Sequence, residues 1–197
     1  MSRKGIYMKK YVLASAIGFL AMTGVASANQ FEAELSALAK GKIAEIASAP
    51  EVISAVKAQN ETTAAYDQAK IDELDKTWRA QADAADQPMI DAALDSEVSG
   101  YLMDVQDGSD GLFTEIFVMD AKGLNVGQSD VTSDYWQGDE DKWQQTYSVG
   151  PGAVHISELE EDESTQTVQS QVSVSVVDPD SGAVIGAVTF GVNVDKL

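Results

Sequence analysis

The sequence predicts an α+β domain in which a long helical segment packs on a five-stranded antiparallel sheet. Three observations predict it. Apolar residues recur at helical spacing up to about residue 106, and at strand spacing beyond it. The two regions meet at a turn-rich string, Asp107-Gly108-Ser109-Asp110-Gly111.

Residues 1–28 read as a cleavable signal peptide. Arg3, Lys4, Lys9 and Lys10 form a positive start, an apolar run extends from Tyr11 to Val25, and Ala26-Ser27-Ala28 supplies a small-x-small cleavage pattern. The alternative is an uncleaved anchor, but a spanning helix needs roughly 20 apolar residues, and this run is shorter. Cleavage after Ala28 leaves one domain over 29–197, with the helical lead-in over 29–106 and the sheet over 107–197. That product is expected to be soluble, without membrane insertion, and periplasmic. Met8-Lys9-Lys10 also reads as an ordinary signal start, so Met1 and Met8 are both candidates for the first residue.

The lead-in divides into four helices. Phe31, Leu35, Leu38, Ile43 and Ile46 mark an amphipathic first helix that Gly41 is expected to loosen. Pro50 suits the first turn of a second, which carries Val52, Ile53 and Val56. Ile71, Leu74, Trp78 and Ala82 fall on one stripe of a third. A fourth follows Pro88 with Ile90, Leu94, Val98 and Tyr101. The strands then follow in order. Thr114–Met119 is short and β-prone, Asp120-Ala121-Lys122-Gly123 is a hairpin turn, and Leu124–Gln128 is the returning strand. Ser129–Ser148 is irregular, with a short helix at Glu140–Gln145. Val154–Ile156 is a third strand. Val168, Val172, Val174 and Val176 alternate with Gln169, Gln171, Ser173 and Ser175, and a turn at Asp178–Gly182 leads to the last strand, Val184–Val194.

Composition narrows the function. The chain carries 13 basic and 32 acidic residues, a formal charge of −19. Loss of the four signal-peptide cations takes this to −23. Such a surface repels phosphates and anionic lipid, which excludes nucleic acid as a partner. It suits cations, cationic ligands or a salty medium, and a merely solvated acidic surface accounts for it equally well. With no cysteine, disulfides and thiolate chemistry are excluded.

The ordered strand motifs carry a resemblance. Phe117-Val118-Met119-Asp120-Ala121-Lys122-Gly123 resembles the opening of a PAS-like Cache (PDC) sheet, and Thr132–Glu140 resembles its ligand-side loop. Ile156-Ser157-Glu158 with Asp162–Thr165 is similar to the segment before its fourth strand. Val172–Val177, Asp178, Gly182 and Ile185-Gly186-Ala187-Val188 resemble its terminal strand pair. The resemblance covers residues 30 to 197. It implies an extracytoplasmic sensory domain of the stand-alone, single-Cache form, binding a small molecule between the sheet and the 129–148 loop. Lacking an output domain of its own, such a module would present its ligand state to a membrane receptor or sensor kinase. It also implies a homodimer contact through the N-terminal helices, although Ala-rich stripes equally pack internally. The amino-acid-binding version of the fold forks a ligand carboxylate with an arginine near the loop aromatics. Here that region reads Asp134-Tyr135-Trp136, and Arg79 is the only arginine after the signal. A cationic or neutral ligand is therefore expected over a carboxylate.

The residues themselves point to the same loop. Tyr135, Trp136 and Trp143 lie among Asp134, Asp139 and Asp141, and aromatic faces beside carboxylates attract cations. The plain alternative makes the tryptophans loop anchors with the acids in water. Asp162, Gln171, Ser173, Thr189 and Phe117 are further candidate ligand contacts, with Gln171 and Ser173 on one sheet face opposite the valines. Bulky Phe117, Met119 and Phe190 would instead mark a filled pocket and a structural or protein-interaction domain. Asp130, Thr132, Asp134 and Asp141 approach a calcium-loop spacing, but Tyr135 stands where a glycine is needed. No cofactor or metal is called for, and no catalytic motif is present; His155 is the single histidine. The expected activity is binding, not catalysis.

Overall fold

The computed structural model describes residues 29–82, 84–162 and 167–197. The predicted signal peptide lies outside them, as does the side chain of Asp162. Glu32–Leu38 forms α1, followed by a π-helical stretch Ala39–Ile43 and by α2, Ala44–Ala47. Gly41 sits in that stretch, where the wider turn keeps Leu35, Ala39, Ile43 and Ile46 all turned into the core. Pro50 opens α3, Pro50–Thr63, at the position where its missing N–H costs nothing. Asp67 caps α4, Gln68–Ala82, by accepting the Lys70 N–H at 2.9 Å. Ile71 and Trp78 are its buried stripe.

The expected fourth helix is two helices, α5 (Pro88–Leu94) and α6 (Glu97–Asp107). Ser96 makes the break. Its hydroxyl accepts the Ser99 N–H as the cap of α6 and donates to the Ala93 carbonyl at the end of α5. Ser99 reaches further, accepting the Gln128 N–H at 2.9 Å and so fastening α6 to the sheet. Gly127 permits this approach, since a Cβ there would meet Val98 at 2.5 Å.

The strands are β1 (Phe113–Met119), β2 (Asn125–Gln128), β3 (Val154–Ile156), β4 (Glu160–Asp162), β5 (Thr167–Val177) and β6 (Val184–Asn193). A single helical turn, α7 (Asp141–Gln144), stands in the crossover. The sheet is antiparallel throughout, in the order β2-β1-β6-β5-β3, with β4 also on β5. One strand beyond the expected five is therefore present: residues 157–159 divide the edge into β3 and β4. This is a PAS-like α+β fold. One face of the sheet, carrying Ile116, Val118, Val172, Val174, Val188 and Phe190, shares its core with α1, α3 and α6. The alternation that fills this face sends the other set of side chains outward.

Candidate functional site

On the outer face the strand register builds a polar strip. His155, Ser173, Thr189 and Phe117 form one cross-strand row, and Gln171, Gly191 and Glu115 form the next. Ser173 and Thr189 are fully buried, with their hydroxyls 2.9 Å apart. Gln171 donates to the Glu115 carboxylate at 2.9 Å.

The crossover covers part of this strip. Trp143 stacks on Tyr147 at 4.7 Å and donates its indole N–H to the Asp120 carbonyl at 3.1 Å. The two rings pack on Phe117, Met119 and Ala187. Lys142 places Nζ 5.4 Å from the Phe117 ring centre and pairs with Glu140 at 2.8 Å. Between α7 and the sheet edge a cleft of about 640 Å³ remains open, lined by Asp139, Glu140, Asp141 and Glu158 with Lys142, His155 and Gln171. Its one ammonium is spent on Glu140, so the remaining carboxylates set a negative field. Burial pushes the His155 imidazole below its ordinary value, Lys142 adds to this, and Asp141 opposes it. A neutral histidine and uncompensated acids can accept hydrogen bonds from a cation.

The Asp134-Tyr135-Trp136 string faces α4 instead. Asp75 accepts both the Tyr135 and Trp136 backbone N–H groups, at 3.0 and 3.1 Å, and the Arg79 Nε–H at 2.7 Å. Arg79 reaches Asp134 at 3.0 Å, and Gln137 also donates to that carboxylate. Trp78, fully buried, stacks on Tyr135 at 5.3 Å and donates to the Thr132 carbonyl. Burial pushes the Tyr135 phenol well above its ordinary value. Trp136 donates to the Lys122 carbonyl at 2.9 Å, pinning the loop to the β1–β2 hairpin. Tyr135 also borders a smaller pocket of about 430 Å³ between α3, α4 and α6, with Gln59, Thr63 and Tyr66.

Of the sequence candidates, Asp139 and Gln171 line the acidic cleft, while Ser173, Thr189 and Phe117 form the buried strip beside it. Trp143 roofs Phe117. Asp134, Tyr135 and Trp136 do not border this cleft, and Asp162 ends β4. Phe190 packs on the helical side of the sheet. The sequence reading missed Lys142, His155 and Glu158 as cleft residues. His155 was legible in principle, because the strand alternation that turns Ser173 to the outer face places its antiparallel partner on the same face. Thr132 turns its hydroxyl to the Asp134 carbonyl, and among the described residues no cluster of three acidic or histidine side chains is placed to hold a metal ion.

No family model matches the sequence, and neither does any curated protein. Among solved structures, the chain is similar to the sensor domain of the V. cholerae histidine kinase DctB, at 12% identity and a TM-score of 0.39, over 85% of this chain and 58% of that one. It is similar to the ligand-binding domain of the Campylobacter jejuni chemoreceptor Tlp3 in complex with 4-methylisoleucine, at 12% identity and a TM-score of 0.38, covering 83% and 60%. For the Pseudomonas aeruginosa amino acid chemoreceptor PctC in complex with GABA the identity is 13% and the TM-score 0.36, covering 86% and 62%. The chain thus spans about three fifths of the length of these domains. In fold, the chain is similar to sensor domains of a histidine kinase and of chemoreceptors.

Proposed function

We propose that this protein is an extracytoplasmic sensory module that binds a small cationic or neutral molecule in the cleft between α7 and the sheet. Its ligand state would be read by a membrane receptor or sensor kinase. The observation that carries this reading is the acidic cleft itself, with Asp139, Asp141 and Glu158 facing one already paired ammonium. Gln171 supplies a neutral hydrogen-bonding group beside them. A carboxylate ligand is disfavoured on two counts. The cleft field repels it, and the Arg79 guanidinium is already engaged by Asp75 and Asp134. The reading is one of binding: the Ser173 and Thr189 hydroxyls share one hydrogen bond and both residues are fully buried. Among the described residues no helix is long and apolar enough to cross a membrane. The periplasm follows from the predicted leader.

The test is a thermal-shift screen against putrescine, choline, neutral sugars, amino acids and dicarboxylates. A ligand at ~100 times its Kd stabilises the fold by about 2.7 kcal/mol. An amine or neutral compound should raise Tm, and the double variant Asp139→Asn, Glu158→Gln should cancel an amine's shift while Trp136→Ala leaves it intact. A shift confined to dicarboxylates would sink the assignment. No shift with any compound would favour a second reading, a protein-interaction domain with a filled pocket. That reading has its own observation, the Trp143–Tyr147 pair occupying the space over Phe117 and Met119.

A further inference from the structure

The sheet edge formed by β3 lies in a groove of its own. The register places His155 opposite Ser173, and flanking bonds run from the Ser175 N–H to the Ala153 carbonyl and from the Ser157 N–H to the Gln171 carbonyl. Residues 153, 155 and 157 thus turn their main-chain groups towards β5, so those of Val154 and Ile156 point away from the sheet. Among the described residues, neither has a main-chain partner on that side. An open edge of this kind is a template for another strand. Here it is also walled. A groove of about 860 Å³ has residues 152–158 along its floor, Glu32 and Ser36 of α1 with Lys40 of the π-helical stretch on one side, and Asp141 and Gln145 of the crossover on the other.

We infer that this groove accepts an extended segment of a basic partner protein, added as a further strand along β3. Charge selects the partner. Glu32, Asp141 and Glu158 outnumber Lys40 in the lining, and the whole chain carries −19, which disfavours a second copy of itself. Alternation selects the pattern. Val154 and Ile156 pack on the helical core side, while His155 lies on the outer face. A bound strand therefore presents apolar residues beside the first pair and basic ones towards Asp141. The groove shares Asp141, His155, Ile156, Ser157 and Glu158 with the small-molecule cleft, but its strand pairing runs through the outward main-chain groups of Val154 and Ile156.

The probe is a fluorescein-labelled (Lys-Val)4 peptide, followed by anisotropy against the purified protein. (Glu-Val)4 should bind at least tenfold more weakly. So should (Lys-Val)4 with alternate amides N-methylated, which loses strand hydrogen bonds while keeping its charge. Ile156→Pro removes one outward N–H at an edge position that tolerates proline, and should cost at least tenfold. The methylated peptide makes the same comparison without altering the protein. Asp139→Asn, which bears on the cleft, should leave peptide binding unchanged, so failure of either assignment shows separately. Equal binding of the methylated peptide, or no binding of any peptide, overturns the inference. So does self-association abolished by Ile156→Pro, which would give the edge to a second copy of the chain.

Discussion

Asp75 is the residue on which the crossover loop hangs, and replacing it measures how. One carboxylate oxygen accepts two successive backbone N–H groups of the loop, and the other accepts the Arg79 guanidinium. Hydrogen bonds to a charged acceptor contribute roughly 1.5–3 kcal/mol each, and an orphaned buried donor costs about 1–3 kcal/mol. Tyr135 and Trp136 are half-buried, so water relieves part of that cost and the lower ends apply. The Arg79 side chain is 53% exposed, which confines its pairing to roughly 0.2–1 kcal/mol. Asp75→Ala is therefore expected to cost about 2–4 kcal/mol. Asp75→Asn, which keeps an acceptor for both N–H groups, should cost about 1 kcal/mol, and Arg79→Met about the same. Urea unfolding followed by tryptophan fluorescence reads the series, since Trp78 and Trp136 both lie at the loop. The reasoning fails if Asp75→Ala costs under about 0.5 kcal/mol, or if Arg79→Met costs more than Asp75→Ala.

Three further outcomes are expected. Gly186→Ala would drive a Cβ into the Met119 carbonyl across β1 and β6 and should lose at least about 2 kcal/mol, whereas Gly100→Ala, with nothing within 4 Å, should gain about 0.5–1 kcal/mol; melting curves compare them. The Ser181 hydroxyl, the Lys57 ammonium and the Asp180 N–H hold the Asp178 carboxyl down to about 2. Its contribution to stability is therefore complete above its ordinary value of about 3.8 and is lost as pH falls towards 2. The urea midpoints of wild type and Asp178→Asn should converge over that interval, and a constant gap would refute this account. The His155 imidazole signal, single in the NMR spectrum, should titrate below 6.5, lower still in Asp141→Asn and higher in Lys142→Met. Because the fold favours the neutral ring, this group weakens the protein as pH drops below 6.5.

Period carried most of the architecture from sequence to structure. The valines of β5 and the Ile71–Trp78 stripe declared their elements because each buries one face. The merged fourth helix shows the limit of period. Ile90, Leu94, Val98 and Tyr101 keep helical spacing across the break, and only the capping chemistry of Ser96 marks it. The loop shows another limit. Tyr135 and Trp136 beside acids read as a cation site, but the groups that engage them, Asp75, Trp78 and Arg79, lie about sixty residues earlier on α4. Local sequence contains no signal of that meeting. The same distance hid Arg79, which does come to the loop aromatics, though held by the chain's own carboxylates.

The place of β6 has a kinetic consequence. It follows the other five described strands in chain order, yet it stands in the middle of the sheet, bonded to β1 on one side and β5 on the other. Until synthesis reaches Asn193, β1 and β5 have no strand to join them, and the long-range contacts that close the core cannot form. High contact order of this kind makes folding slow. Before β6 joins them, β1 and β5 each carry an unpaired edge, the state in which a strand is open to wrong partners.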